Sequence, residues 1–220
     1  REEIISLTRD SVNFLLSKDV KIIIFGCNTA TAVAMSTIRK EIPLQIIGVV
    51  QSGALAAART TETKNVAVIG TKATVDSHSY LKEIQYRDPE IKVSEFAQPK
   101  LAPLAEEDPD EDIKNAVVSE SLTPLKNADY DTLVLGCTHY PLLREEIVAV
   151  VGQDKKIVDP ADQVAQYTYN VLRRDDLFAE STAPVKHDYY TTGEAKKFTE
   201  ITRQWMNDDT IIGHHVDAED

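Results

Sequence analysis

Apolar positions along this chain fall into two alternating patterns. Short continuous apolar runs read as strands, and the first of them, KIIIF, rich in β-branched residues, as one buried on both faces, as in a parallel sheet. The runs are KIIIF (Lys21–Phe25), LQIIGVV (Leu44–Val50), NVAVIG (Asn65–Gly70), DTLVLG (Asp131–Gly136) and KKIVD (Lys155–Asp159), while IKVSEFA (Ile91–Ala97) alternates as a strand. Between them apolar residues recur at helical spacing. Glu2–Ser17 places Ile4, Ile5, Val12, Leu15 and Leu16 largely on one face. Further helices are predicted over Thr29–Arg39, Gly53–Arg59, Val75–Arg87, Asp110–Lys126, Pro141–Val151 and Pro160–Leu172. Pro124 kinks the Asp110–Lys126 helix or lies near its end, and Pro141 suits a first helical turn. The tail reads as a strand in VKHDYYTTG, a helix over Glu194–Trp205 and a last strand in TIIGHHV.

Strands alternating with helices of this length imply βαβ units and an α/β fold with mostly parallel sheets. The most loop-like stretch is EEDPDED (Glu106–Asp112), which by charge alone is solvated surface.

Composition narrows the function. Of the 220 residues 42% are apolar, enough for a sizeable core, and no apolar run approaches the roughly 18 residues of a membrane span. A soluble, cytoplasmic protein without membrane partners is expected. The net charge of −12 argues against nucleic-acid binding through a general basic face. Two cysteines do not make a secreted disulfide scaffold, and no signal peptide is visible.

The two cysteines lie in matching surroundings. FGCNTAT (Phe25–Thr31) and LGCTHYP (Leu135–Pro141) each place Gly-Cys after an apolar strand and before a helix. Ligands of parallel sheets gather at the carboxyl ends of strands, and free N–H groups at a helix start favour a thiolate or a bound carboxylate. Asn28, Thr29, Thr138 and His139 add short polar groups. A lone cysteine in such a place is most often a small buried apolar residue, and a structural disulfide is a further reading. Metal binding fits poorly, because there is no C-x-x-C and the histidines show no ligand spacing with either thiol. A thiol phosphatase would need an arginine cradle in the turn, and none follows Cys27. Two thiols facing one small substrate remain. A base on one side of a carbon and an acid on the other invert a stereocentre, and a thiol near neutral pKa can serve as either.

FGCNTATAVA and LGCTHYPLL closely resemble the paired signatures of the glutamate racemases, a family of cofactor-independent amino-acid racemases. VAVIGTKATV, KLAPLAEE and DYYTTG are similar to further segments of that family, so the resemblance spans essentially the whole chain. It implies two similar α/β domains with the active site in the cleft between them. The first would hold residues 1–51 and 160–220, the second 52–159. It implies Cys27 as the base toward D-glutamate and Cys137 as the base toward L-glutamate, with His139 and Glu106 assisting proton transfer. Asn28, Thr29, Thr71, Thr74, Thr138 and His139 match substrate-contacting positions, although Thr71 and Thr74 on their own read equally as helix caps. No cofactor and no metal are implied. A homodimer supplying D-glutamate for peptidoglycan synthesis is expected.

The chain departs from that pattern in places. The family's opening strand, its Asp-Ser-Gly turn and its Pro-Tyr-Gly loop do not occur, so a leading segment of roughly 30 residues or more is expected to be missing. Without it the Lys21–Phe25 strand is expected to expose an edge. Gln51-Ser52 replaces a Glu-Pro pair, and Gln98 stands where many members have cysteine. Alternative functions are racemisation of aspartate or another small acid, glutamate binding without turnover, and a redox protein whose two sulfurs bond.

Overall fold

The computed structural model describes all residues except 181, 183 and 218–220, so part of the tail assigned to the first domain lies outside the described residues. The order of elements follows the apolar pattern. Helix α1 (Glu2–Leu16) leads to strand β1 (Ile23–Phe25), the short helices α2 (Asn28–Val33) and α3 (Met35–Ile38), and strand β2 (Ile46–Gly48). Helix α4 (Val49–Thr60) then enters a second unit. There β3 (Asn65–Gly70) precedes α5 (Lys72–Asp76) and α6 (Ser79–Arg87), and β4 (Lys92–Ala97) precedes α7 (Leu101–Glu107) and α8 (Glu111–Ser121). Strand β5 (Thr132–Gly136) is followed by α9 (Arg144–Val151), and β6 (Lys156–Val158) by α10 (Pro160–Arg174). The last unit is β7 (Tyr189–Thr191), α11 (Ala195–Met206) and β8 (Gly213–His215).

Every described strand pairing is parallel. The central sheet has the order β4-β3-β5-β6, and β1-β2 and β7-β8 form two-stranded ladders. The fold is therefore α/β with parallel sheets. Strands β3 and β5 are covered on both sides, and their alternation sorts two cores. Ala67, Ile69, Leu133 and Leu135 pack on one side with Leu101, Leu104, Leu122 and Tyr140. Val66, Val68 and Val134 pack on the other with Val50, Ala54, Tyr80 and Ile84. Each such fully buried aliphatic side chain contributes about 1.5–3 kcal/mol. A third cluster joins Ile5 and Val12 of α1 to Ile23, Phe25, Met35, Ile38 and Ile46. No described helix is long and apolar enough to cross a membrane.

Several elements differ from the pattern-based reading, each for a local reason. Strand β1 is not buried on both faces: Ile24 is 45% exposed while Ile23 and Phe25 are buried. Among the described residues β1 is paired only with β2, and α1–α3 cover one side. The helix expected over Thr29–Arg39 breaks at Ala34. β-Branched Thr29, Thr31 and Val33 weaken it, and the Thr31 hydroxyl bonds back to the Cys27 carbonyl at 2.8 Å. The Leu44–Val50 strand ends at Gly48, and Val49 and Val50 already belong to α4. The Val75–Arg87 helix instead starts at Lys72 and breaks at His78, whose φ is +53°. Ser77 sustains that break by donating to the Thr74 carbonyl and accepting from the Ser79 N–H. Helix α7 is absent from the sequence reading because Pro103 and the acidic run mask it, so Glu106 lies on a helix rather than in a loop. Pro124 sits in a 3₁₀ turn over Thr123–Asn127 that follows α8.

Candidate active site

Both cysteine turns are built alike. Each sulfur stands at the carboxyl end of a parallel strand and takes a backbone N–H from three residues on. Ala30 N–H donates to Cys27 Sγ at 3.5 Å, and the N–H groups of His139 and Tyr140 bear on Cys137. The two glycines are not equivalent. A Cβ on Gly136 would come within 2.7 Å of the Ile69 carbonyl oxygen, whereas nothing lies within 4 Å of one on Gly26. Gly136 is required because neighbouring strands β3 and β5 approach closely there; the first turn carries no such constraint.

Cys27 is exposed and Cys137 buried, and both are free thiols. The disulfide reading therefore has no bond to rest on. Burial pushes the Cys137 thiol up, and negative charge on Cys27 and Glu106 adds to the rise, against the backbone N–H donors that lower it.

The residues expected at the site fall into three groups. His139 lies between Cys137 and Glu106: Cys137 Sγ is 3.8 Å from His139 Nδ1, and His139 Nε2 is 2.9 Å from Glu106 Oε1. Thr29, Thr71 and Thr74 form a hydroxyl triad, with Thr29 Oγ1 2.8 Å from Thr71 and Thr71 3.0 Å from Thr74. Thr71 also caps α5 by accepting the Thr74 N–H, so the capping reading and the site reading describe the same side chain. Asn28 is buried, and Thr138 is exposed. A cavity of about 310 Å³ joins the two turns, with Gly26 and Asn28 from the first, Cys137 and Thr138 from the second, and Asp159 and Pro160 from the start of α10. Cys27 itself lines a separate cavity of about 360 Å³ against α1, and two larger clefts, of about 660 and 650 Å³, hold neither thiol.

Three residues missing from the sequence reading complete this region. Tyr80 is fully buried, and its hydroxyl donates to Asn28 Oδ1 at 2.6 Å. Burial, with the negative charges of Asp159 and Cys137, holds its phenol far above the ordinary range, so it stays a donor. That fixes the Asn28 amide with its NH₂ as the free donor. Asp159 caps α10 by accepting the Ala161 N–H and brings a carboxylate to the cavity wall. Trp205 of α11 packs edge-to-face on His139, with ring centroids 5.3 Å apart. A lone aromatic on a C-terminal helix and a tyrosine on a core-facing stripe carry no sequence signal of a site. Asp159, read only as the end of the KKIVD strand, stands between strand and helix where an aspartate is a common cap, and that position is the one signal that could have found it.

The parallel α/β scaffold with paired Gly-Cys turns at two strand ends, read with the relatives that follow, is that of an amino-acid racemase. The chain belongs to the Asp/Glu/hydantoin racemase family, whose model matches residues 6–168. It is 97% identical over 220 residues to a glutamate racemase of Lactobacillus johnsonii, covering all of this chain and 83% of that protein. Among solved structures it is similar to a glutamate racemase isoform from Bacillus anthracis, with a TM-score of 0.94 and 34% identity over 99% of this chain and 82% of that one. The glutamate racemase from Francisella tularensis in complex with D-glutamate aligns with a TM-score of 0.91 and 25% identity, over 99% and 81%.

Proposed function

We propose that this chain interconverts L- and D-glutamate by a cofactor-independent two-base proton transfer, with Cys27 and Cys137 as the two bases. The observation that carries this reading is the meeting of both thiol turns at one small cavity, through Gly26 and Asn28 on either side of Cys27 and through Cys137 and Thr138. The glutamate racemase names of the relatives support the substrate, as does the D-glutamate in the Francisella complex.

The reaction needs one thiolate and one thiol. From D-glutamate the Cys27 thiolate takes the α-proton, leaving a carbanion, and the Cys137 thiol returns a proton to the opposite face. The products are L-glutamate, a Cys27 thiol and a Cys137 thiolate; the reverse direction exchanges the roles. Like-charge coupling between the sulfurs favours this singly ionised pair. His139, held by Glu106, stands beside Cys137 to move its proton. Asn28 and Thr138 in the cavity wall, which holds no lysine or arginine, and the Thr29, Thr71 and Thr74 hydroxyls beside the first turn are the neutral donors for the substrate's carboxylates. Residues 1–51 with 160–220 would form one domain and 52–159 the other, with the cleft between them closing to exclude water. In the cell the product would serve peptidoglycan synthesis in the cytoplasm, with the enzyme acting as a homodimer.

The test is polarimetric racemisation by the full-length protein from both enantiomers, beside aspartate, with α-proton exchange followed in heavy water. Turnover of glutamate that is lost in both Cys27→Ser and Cys137→Ser supports the reading. Faster turnover of aspartate, or α-proton exchange that persists without either thiol, overturns it.

A further inference from the structure

We propose that Trp205 is a positioning residue for His139 in the Cys137–His139–Glu106 relay, and that the same turn of α11 anchors, through Gln204, the end of α7 that carries Glu106. The proposal rests on the racemase reading above and adds a residue to it. His139 and Glu106 come from different elements, the turn after β5 and the end of α7, and nothing in either element alone fixes their mutual geometry. Two adjacent residues of α11 reach the two elements, one at His139 itself and the other at Asp108, just beyond Glu106. Trp205 meets the His139 ring edge-to-face at 88°, which leaves both imidazole nitrogens free for Cys137 and Glu106. Gln204 Nε2 donates to Asp108 Oδ2 at 2.8 Å. Asp108 is the residue that ends α7 in the left-handed conformation, two positions beyond Glu106, and its other oxygen takes Lys114 Nζ at 2.9 Å.

The contacts are specific rather than a by-product of core packing. Helix α11 has no buried residue, Trp205 is 38% exposed and the neighbouring Met206 is 63% exposed. An aromatic that merely filled a core would be covered; this one is part-exposed and meets the His139 imidazole edge-to-face. Rotation of His139 away from the line between Cys137 and Glu106 is what the indole opposes.

The experiment uses the full-length protein with Trp205→Ala, Trp205→Phe and Gln204→Ala. At 25 °C, below the melting temperature of each variant, Trp205→Ala is expected to lower kcat about 5- to 10-fold with KM within about twofold, and Trp205→Phe to restore most of it. Gln204→Ala is expected to act in the same direction more weakly. A second readout does not need turnover. In a Cys27→Ser background, alkylation of Cys137 by iodoacetamide is followed against pH. The titratable groups facing Cys137 are then His139 and Glu106, the buried phenols of Tyr80 and Tyr140, and Asp159 in the wall of the same cavity; the phenols stay neutral through the titration. Trp205→Ala is expected to move the midpoint in the same direction as Glu106→Gln, and Trp205→Phe to leave it in place. A lower melting temperature with unchanged kcat and unchanged midpoint overturns the proposal, as does a Phe variant no better than Ala. Should Trp205→Ala not fold, the Phe and Gln204 variants decide by the same two readouts, and parent-like kcat and midpoint in Gln204→Ala together with a Phe variant that loses activity overturn it. Absence of glutamate turnover in the parent protein would sink the racemase reading, while the alkylation midpoint still judges the place of Trp205.

Discussion

The Tyr80 hydroxyl donates to Asn28 Oδ1 at 2.6 Å, tying the polar residue beside Cys27 to a helix of the central sheet's unit. Tyr80→Phe removes the donor and leaves a buried acceptor without a partner, which costs about 1–3 kcal/mol. We expect KM for glutamate to rise about tenfold, with a smaller change in kcat, because the freed amide can turn its oxygen toward the substrate carboxylate. Steady-state kinetics and a denaturant melt check both.

Glu106→Gln keeps the shape of the Glu106–His139 pair and removes the carboxylate's charge. The imidazole then loses the group that would balance a proton on it. A drop in kcat of about 10- to 100-fold is expected, with folding unaltered since Glu106 is about half exposed. Retention of full kcat would remove His139 and Glu106 from the proton path.

Alkylation should separate the two thiols. Cys27 is exposed, whereas Cys137 is buried and its pKa is raised by that burial. At pH 7.5, set as about one unit below a free thiol's pKa, Cys27 should react with iodoacetamide at least about tenfold faster. Glutamate should protect both. Peptide mass spectrometry of timed samples reads the order directly.

Asp131 offers a stability test remote from the thiols. Burial works against its charge, but Thr61, the N–H groups of Thr63 and Glu62, and Thr132 outweigh it and hold the carboxyl well below the usual range. A depressed folded pKa means the ionised form stabilises the fold. That contribution is whole above the ordinary value of 3.8 and is lost as pH falls through the folded value. Asp131→Asn is expected to cost about 1–3 kcal/mol at pH 7 and less near pH 2. Urea melts at the two pH values measure the difference.

The glycines of the two turns should respond differently. Gly136→Ala drives a Cβ into the Ile69 carbonyl and should destabilise by about 1–3 kcal/mol, while Gly26→Ala meets open space and should fold normally. Equal melting temperatures for the two variants would contradict the close approach of β3 and β5.

The chain's own pattern determined the alternation of strands and helices, the parallel sheets and the pairing of Cys27 with Cys137, because buried β-branched runs and repeated Gly-Cys turns are local signals. Strand β3 coincides with NVAVIG residue for residue, since both its faces are covered. The exposure of Ile24, the breaks at Ala34 and His78 and the helix carrying Glu106 were not legible, because each depends on what covers a segment or on side-chain hydrogen bonds within it. The tertiary structure alone decided the rest. It brought Thr29 to Thr71, Tyr80 to Asn28 and Trp205 to His139. Those residues stand far apart in the chain, and no local propensity encodes a distance between them. Only the packing of α5, α6 and α11 against the thiol turns does.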